Sequence, residues 1–349
     1  MSNSLDDPIK TGKELDYSIG SKPFFVLAPM DDVTDSVFRQ LISSVSAPDL
    51  AYTEFVNVDG LQSPGRPRLS SKLLASSREA PLIAQIWGKN PDNFYKTAKE
   101  IADGTFAREL GMGESFSYAG VDLNMGCPQK TEVNGGTCSA LINNRPLAHE
   151  IIEATREGLA GKLPLSVKTR IGFSEIDMTW IDFLLSHNLN MLSVHGRTRK
   201  EMSKVPAHWE CIGEARRLRD QLAPNTLIVG NGDVSSRREG EQLAEKYELD
   251  GIMVGRGIFS DPFLFSKQSP WLDYSPSQKI ELYMRHVKLF AETWQNKQKP
   301  VYVLNKFCKL YINGFNGAKD FREKLMNCES IETLISELNK YELVPELVK

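Results

Sequence analysis

The chain has 349 residues, 41% hydrophobic and 25% charged, with 25 Gly and 18 Pro. These values exclude collagen-like, disordered and coiled-coil chains, and a chain this long buries a core without disulfide or metal staples. The net charge of −3 hides an asymmetry, because residues 277–328 carry +6, residues 329–349 carry −3 and residues 1–276 carry −6.

The opening MSNSLDDPIK has two Asp before its first Lys and no apolar stretch, so no secretory signal is expected. Eight short apolar or β-branched runs follow: 24–30 (FFVLAPM), 50–56 (LAYTEFV), 81–87 (PLIAQIW), 120–125 (GVDLNM), 163–171 (LPLSVKTRI), 191–197 (MLSVHGR), 226–231 (TLIVGN) and 251–256 (GIMVGR). Their starts are roughly 25 to 45 residues apart, the spacing of strand–helix units in a parallel sheet covered on both faces. Eight units predict a (β/α)8 TIM barrel over residues 1–276. A doubly wound open sheet is the alternative, but it would gather its site at one switch point. Here nearly every run instead ends in polar residues, at the strand ends where barrel enzymes place their sites. From Ser277 the apolar positions Ile280, Tyr283, Met284, Val287 and Phe290 take helical spacing, and Leu304, Phe307, Cys308 and Tyr311 repeat it. A C-terminal α-helical domain is therefore expected over 277–349. Its basic stretch suits either a polyanionic partner or a solvated helix surface.

No stretch approaches the about 20 apolar residues that span a bilayer, so no membrane partner is expected. The five cysteines (Cys127, Cys138, Cys211, Cys308, Cys328) are odd in number and form no C-x-x-C pair, which points to a reducing cytoplasm. His195 and His208 lack metal-ligand spacing and no His-Glu-x-x-His occurs, so no metal is expected.

Two glycine-rich strand ends, Asn231-Gly232-Asp233 and Gly255-Arg256-Gly257, fall after the seventh and eighth runs, where barrels hold phosphate; Ser235-Ser236 offers an N-cap to the next helix. Lys168 lies in an apolar strand beside Arg170, which suits a cation facing a cavity. His195 ends the sixth run. Cys127 sits in a Gly-Cys-Pro turn just past the fourth, where a core residue has little reason to be, and a thiol there can give a proton. Cys138, after Gly135-Gly136-Thr137, is placed either near that mouth or in the core.

The segments LAPMDDVTDSVFRQL (27–41), DLNMGCPQKTEVNGGTCSALI (122–142), VKTRIGF (167–173), SVHGRT (193–198), VGNGDV (229–234), GIMVGRGIFSDPF (251–263) and YINGFNGAKDFREKLM (311–326) resemble the tRNA-dihydrouridine synthases. The Asn-x-Gly-Cys-Pro block followed by Gly-Gly is the most specific of them. The resemblance implies an FMN barrel that reduces the C5=C6 bond of a tRNA uridine, with NADPH (or NADH) as reductant and the helical domain on the tRNA. Carried over by motif, Pro29, Met30 and Asp31 line the flavin, Gln85 approaches its ring, Lys168 lies at its N1–C2 edge and His195 contacts it. Asn231, Gly232, Asp233, Gly255 and Arg256 hold its phosphate. Cys127 is the acid at uracil C5, and Asn124, Arg170 and Arg197 orient the base. A flavin barrel acting on a free small molecule leaves the basic helices and the Gly-Cys-Pro turn unexplained. A non-catalytic tRNA binder leaves Cys127, Lys168 and both glycine-rich ends unexplained.

Overall fold

The computed structural model describes residues 17, 19–294 and 299–342. The opening MSNSLDDPIK, Lys297 of the basic stretch and residues 343–349 lie outside the described residues. Among the described residues nine parallel strands form one sheet: β1 (Phe24–Leu27), β2 (Leu50–Tyr52), β3 (Val56–Asn57), β4 (Leu82–Trp87), β5 (Gly120–Met125), β6 (Leu165–Arg170), β7 (Met191–His195), β8 (Leu227–Asn231) and β9 (Gly251–Val254). The sheet closes because β1 pairs with β9 (Phe24 opposite Gly251) and β2 pairs with both β1 and β4 (Val26 opposite Leu50, Ala51 opposite Leu82). All eight expected runs are strands, and the barrel has eight staves because β2 and β3 are two halves of one.

That stave breaks at Thr53-Glu54-Phe55 for a visible reason. The Thr53 hydroxyl accepts the Gln85 N–H (3.0 Å), and the Glu54 carboxylate turns out of the ladder to accept the Asp32 N–H (2.8 Å). Inside the barrel, Phe24, Val26, Leu50, Tyr52, Ile83, Met191, Val229 and Met253 form one apolar cluster. The outward-facing residues join the helices in a second, continuous core.

The surrounding helices used below are α1 (Ser36–Ser46), α2 (Pro91–Ala102), α3 (Arg145–Leu159), α4 (Met178–Leu185), α5 (Trp209–Leu222) and α6 (Arg237–Tyr247). Their starts follow local rules: Asp35 caps α1 through the Phe38 N–H, Asn144 precedes a first-turn proline in α3, and Ser236 of the expected Ser-Ser pair caps α6 through the Glu239 N–H. The long segment 104–120 serves as a clamp. Arg66, after β3, bridges to Glu100 (2.9 Å) and Glu109 (2.8 Å), and the Tyr118 hydroxyl donates to the Leu73 carbonyl (2.5 Å).

The C-terminal helices are α7 (Pro276–Thr293), α8 (Cys308–Tyr311), α9 (Ala318–Met326) and α10 (Ile331–Glu342), with a 3-10 segment at Val301–Phe307. Helix α7 opens with a capping box between Ser275 and Gln278 and packs on α1. Phe307 stacks on Phe38 of α1 (5.1 Å between ring centres), with buried His286 edge-on to it; burial lowers the His286 imidazole to about 4. Two lysines of the basic stretch reach the barrel: Lys299 meets Asp35 (3.0 Å) and Glu54 (3.4 Å), and the exposed Lys306 donates to the Asp32 carbonyl (2.6 Å). The helical segment is thus tied to the loop after β1.

Under α1, the fully buried Arg39 guanidinium pairs with the equally buried Glu79 (2.6 Å). Burial raises the Glu79 carboxyl while Arg39 holds it down. Arg39→Met strips Glu79 of its cation, and urea unfolding should show a loss of about 3–5 kcal/mol. A loss under about 1 kcal/mol would mean that Glu79 protonates at little cost.

Candidate active site

The strand C-termini surround a cavity of about 500 Å³, and ten of the expected site residues line it: Pro29, Met30, Lys168, Arg170, His195, Asn231, Gly232, Asp233, Gly255 and Arg256. That volume lies in the range of small-ligand sites. Gly232 has φ of +151°, and a Cβ there would come 2.5 Å from the Ala207 Cβ. The close approach keeps the strand end bare and leaves its backbone facing the cavity.

Lys168 enters from β6, opposite Asn124 of β5 and Ser193 of β7. Its Nζ donates to Asn231 Oδ1 (3.3 Å), and Asn231 is itself held by donating to the Met253 carbonyl (2.9 Å). Burial lowers the ammonium to about 8, Arg170 adds to this, and Asp122 opposes it. A lysine near that value carries its charge at neutral pH and gains markedly from an anionic partner. His195 is pushed well below the usual imidazole range by burial and by the cations around it, so its ring is neutral.

Arg170 is 8% exposed, and burial brings its guanidinium down to about 10. Its Nε donates to the Gly126 carbonyl (2.8 Å), and one Nη donates to the carbonyls of Thr198 (3.1 Å) and Met202 (3.2 Å). It therefore ties the turn before Cys127 to the loop after β7. Arg197, 2% exposed, lies outside the cavity lining and spends its guanidinium on Val205 O and on both oxygens of Asp233. The same carboxylate accepts from Arg256 (3.1 Å). Asp233 thus holds two arginines with its side chain, and what it offers an anion is its backbone. Asp31 lies outside the cavity lining, exposed and paired with Lys72.

Gln85 and Asn124 lie under the cavity and form a chain. Gln85 donates to Asp122 (2.7 Å), as does Ser166 (2.6 Å), and Asn124 donates to Gln85 Oε1 (3.1 Å). The Asn124 oxygen then accepts the N–H groups of Gly126 (3.1 Å) and Cys127 (2.9 Å). The Asn124 amide is thereby spent on holding the Cys127 turn. Asp122, raised to about 7 by burial, anchors the chain and was not expected from the sequence. Its signal was present: in GVDLNM it lies two residues before Asn124 and so shares that residue's face.

Cys127 is half-buried beside the cavity-lining Pro128. Cys138 is fully buried at a φ of 54°, and its thiol faces that of Cys127. This neighbour favours the Cys127 thiolate and lowers that thiol, while Cys138 is raised well above the ordinary range. The position left open in the sequence thus lies directly behind Cys127.

A closed parallel barrel with a cation-lined, glycine-edged cavity at its strand C-termini and a thiol at the rim has the architecture of the barrel enzymes, which place their sites at that end. The family model "Dihydrouridine synthase (Dus)" matches residues 26–344. The "Probable tRNA-dihydrouridine synthase" of Staphylococcus aureus (strain COL) is 41% identical over 333 residues, covering 95% of this chain and 96% of the relative. The "Probable tRNA-dihydrouridine synthase 2" of Bacillus subtilis (strain 168) is 41% identical over 324 residues, covering 92% and 94%. Among solved structures, histamine dehydrogenase from Rhizobium sp. 4-9 is 12% identical with a TM-score of 0.49, covering 78% of this chain and 51% of that one. The old yellow enzyme homologue from Zymomonas mobilis is also 12% identical, with a TM-score of 0.44 and coverage of 69% and 87%. The chain belongs to the dihydrouridine synthase family and is an oxidoreductase. Among the described residues no helix is long and apolar enough to cross a membrane.

Proposed function

We propose that this chain reduces the C5=C6 bond of uridine in tRNA to 5,6-dihydrouridine, with FMN in the barrel cavity and NADPH as reductant. One observation carries the reading: a cavity lined by Lys168, Arg170 and Arg256 has at its edge a thiol whose turn is held by Asn124 and Arg170. The cavity fits such a cofactor by its volume, by the bare backbone at Gly232 and by a half-buried lysine with donor capacity to spare. FMN supplies the two-electron chemistry.

The chain's own residues do the rest. Pro29 and Met30 pack on the ring, Lys168 and neutral His195 face its polar edge, and Lys168 stabilises negative charge there. Asn231, Gly232, the Asp233 backbone, Gly255 and Arg256 receive the phosphate end, with Asp233 fixing Arg256 by its carboxylate. Gln85 supports the site from below through Asp122 and Asn124. Arg170 orients the uracil, with Arg197 supporting that wall from behind. Cys127 delivers the proton to C5. The uridine must leave its stack to reach this cup, at a cost of a few kcal/mol. Phosphate contacts from residues 277–349 offset that cost, and Lys288, Lys309, Lys319 and Lys324 are exposed there for the purpose. A tRNA substrate suits the cytoplasm. Purified protein should absorb as a flavoprotein and release FMN on denaturation; protein that neither carries nor takes up FMN overturns the reading.

The thiol pair sets the pH dependence. Cys127 acts as an acid only while protonated, so the rate of dihydrouridine formation falls as pH rises through its lowered pKa. Cys138→Ala removes the thiol that stabilises the thiolate and raises the Cys127 pKa. The alkaline limb of the pH–rate profile should move to higher pH; an unmoved limb would detach Cys138 from the acid.

A further inference from the structure

On the outer wall of the barrel, away from the cavity, three side chains of two successive strand–helix units converge. His149 and Glu153 lie one turn apart on α3, and His187 follows α4. His149 Nδ1 lies 3.0 Å from His187 Nε2, and a ligand atom from each of the three residues falls within 4.8 Å of the others.

The hydrogen positions follow from the partners. His187 Nδ1 is 2.7 Å from the Phe183 carbonyl, which can only accept, so Nδ1 carries the hydrogen and Nε2 presents a lone pair to His149. Backbone anchoring of the second ring nitrogen is how metal-binding histidines are oriented and their tautomer fixed. His187 is 8% exposed, whereas His149 is open to solvent and provides an entry path.

We propose that His149, Glu153 and His187 form a site for a divalent transition cation of the zinc type. Two imidazole nitrogens on one tetrahedral zinc stand roughly 3.3 Å apart, so the observed pair need open only slightly. The carboxylate is the third ligand and water the fourth, and two imidazoles with one carboxylate are a zinc-type donor set. To bind the cation, neutral His149 takes the tautomer with its single ring hydrogen on Nε2, which leaves the Nδ1 lone pair for the metal. Arg156 is the opposing charge: it pairs with one oxygen of Glu153 and donates to the His187 carbonyl. The cation therefore takes the other carboxylate oxygen. Bound there, it cross-links α3 to the turn after α4. Sequence spacing misses this set because His187 lies 38 residues beyond His149.

Calorimetric titration of Zn2+ into the full-length, FMN-loaded protein tests the site. Wild type should bind one equivalent, and its thermal unfolding midpoint should rise with Zn2+. His149→Ala, at an exposed position the fold tolerates, should weaken binding at least about tenfold and abolish the rise. His187→Ala should do the same, and Glu153→Gln should weaken binding less. Cys127→Ala should bind as wild type does. Failure of wild type to bind, wild-type affinity in His149→Ala, or binding lost with Cys127 instead would each overturn the proposal.

Discussion

Cys127→Ala is expected to slow dihydrouridine formation by about 10²–10⁴-fold, the range of a positioned general acid, while leaving the flavin bound. The cavity lining runs through Pro128 and Lys168 rather than through Cys127 itself, so the variant keeps the cofactor site. The turn survives as well, because Asn124 and Arg170 hold it by its backbone N–H and carbonyl groups and not by the thiol. The loss therefore falls on protonation of uracil C5. Rates with tRNA at saturating NADPH, set against the flavin absorbance of the same preparation, separate the two effects. Near-normal turnover with full flavin content would move the acid elsewhere, and Cys138 behind it is the first place to look.

Lys168→Met is expected to cost about 10²–10³-fold, comparable to removing one preorganised donor from a charge that develops during reaction. The substitution preserves the stem and removes only the ammonium. Burial has already lowered that ammonium to about 8, so it gains more from a nearby negative charge than a solvated lysine would. With FMN bound, the midpoint potential of the flavin should fall, because the cation favours the reduced, anionic form. An unchanged potential would place Lys168 in the wall of the site rather than at the polar edge of the ring. The substitution also deprives Asp122 of a cation, and since that carboxyl already stands at about 7, it is expected to take a proton in the variant.

The barrel was legible because its signal is local and repeated. Eight apolar runs at strand–helix spacing are visible one by one, and parallel pairing follows from their alternation with helices. The glycine-rich ends after β8 and β9 and the cation of β6 were legible too, since each is a polar interruption at the end of an apolar run. What the sequence concealed depends on partners far along the chain. The break between β2 and β3 answers Glu54, whose carboxylate serves the loop after β1. Lys299 reads as one more charge of a basic stretch, but its partner Asp35 lies 264 residues away. Arg197 has the same residue type as Arg170 at the same kind of strand end, and only the fold shows that Asp233 claims it. Cys138 could be placed only once the chain after Asn134 had turned back on Cys127, through the bond from the Ser139 N–H to the Cys127 carbonyl (3.4 Å).

The most direct measurement is a position-resolved mass-spectrometric map of unmodified tRNA after incubation with the purified, FMN-loaded protein and NADPH. Uridine should gain two hydrogens at discrete positions, and Cys127→Ala should leave the same tRNA unchanged over the same interval. Flavin that turns over with NADPH while the tRNA shows no mass gain at any uridine would contradict the proposed function.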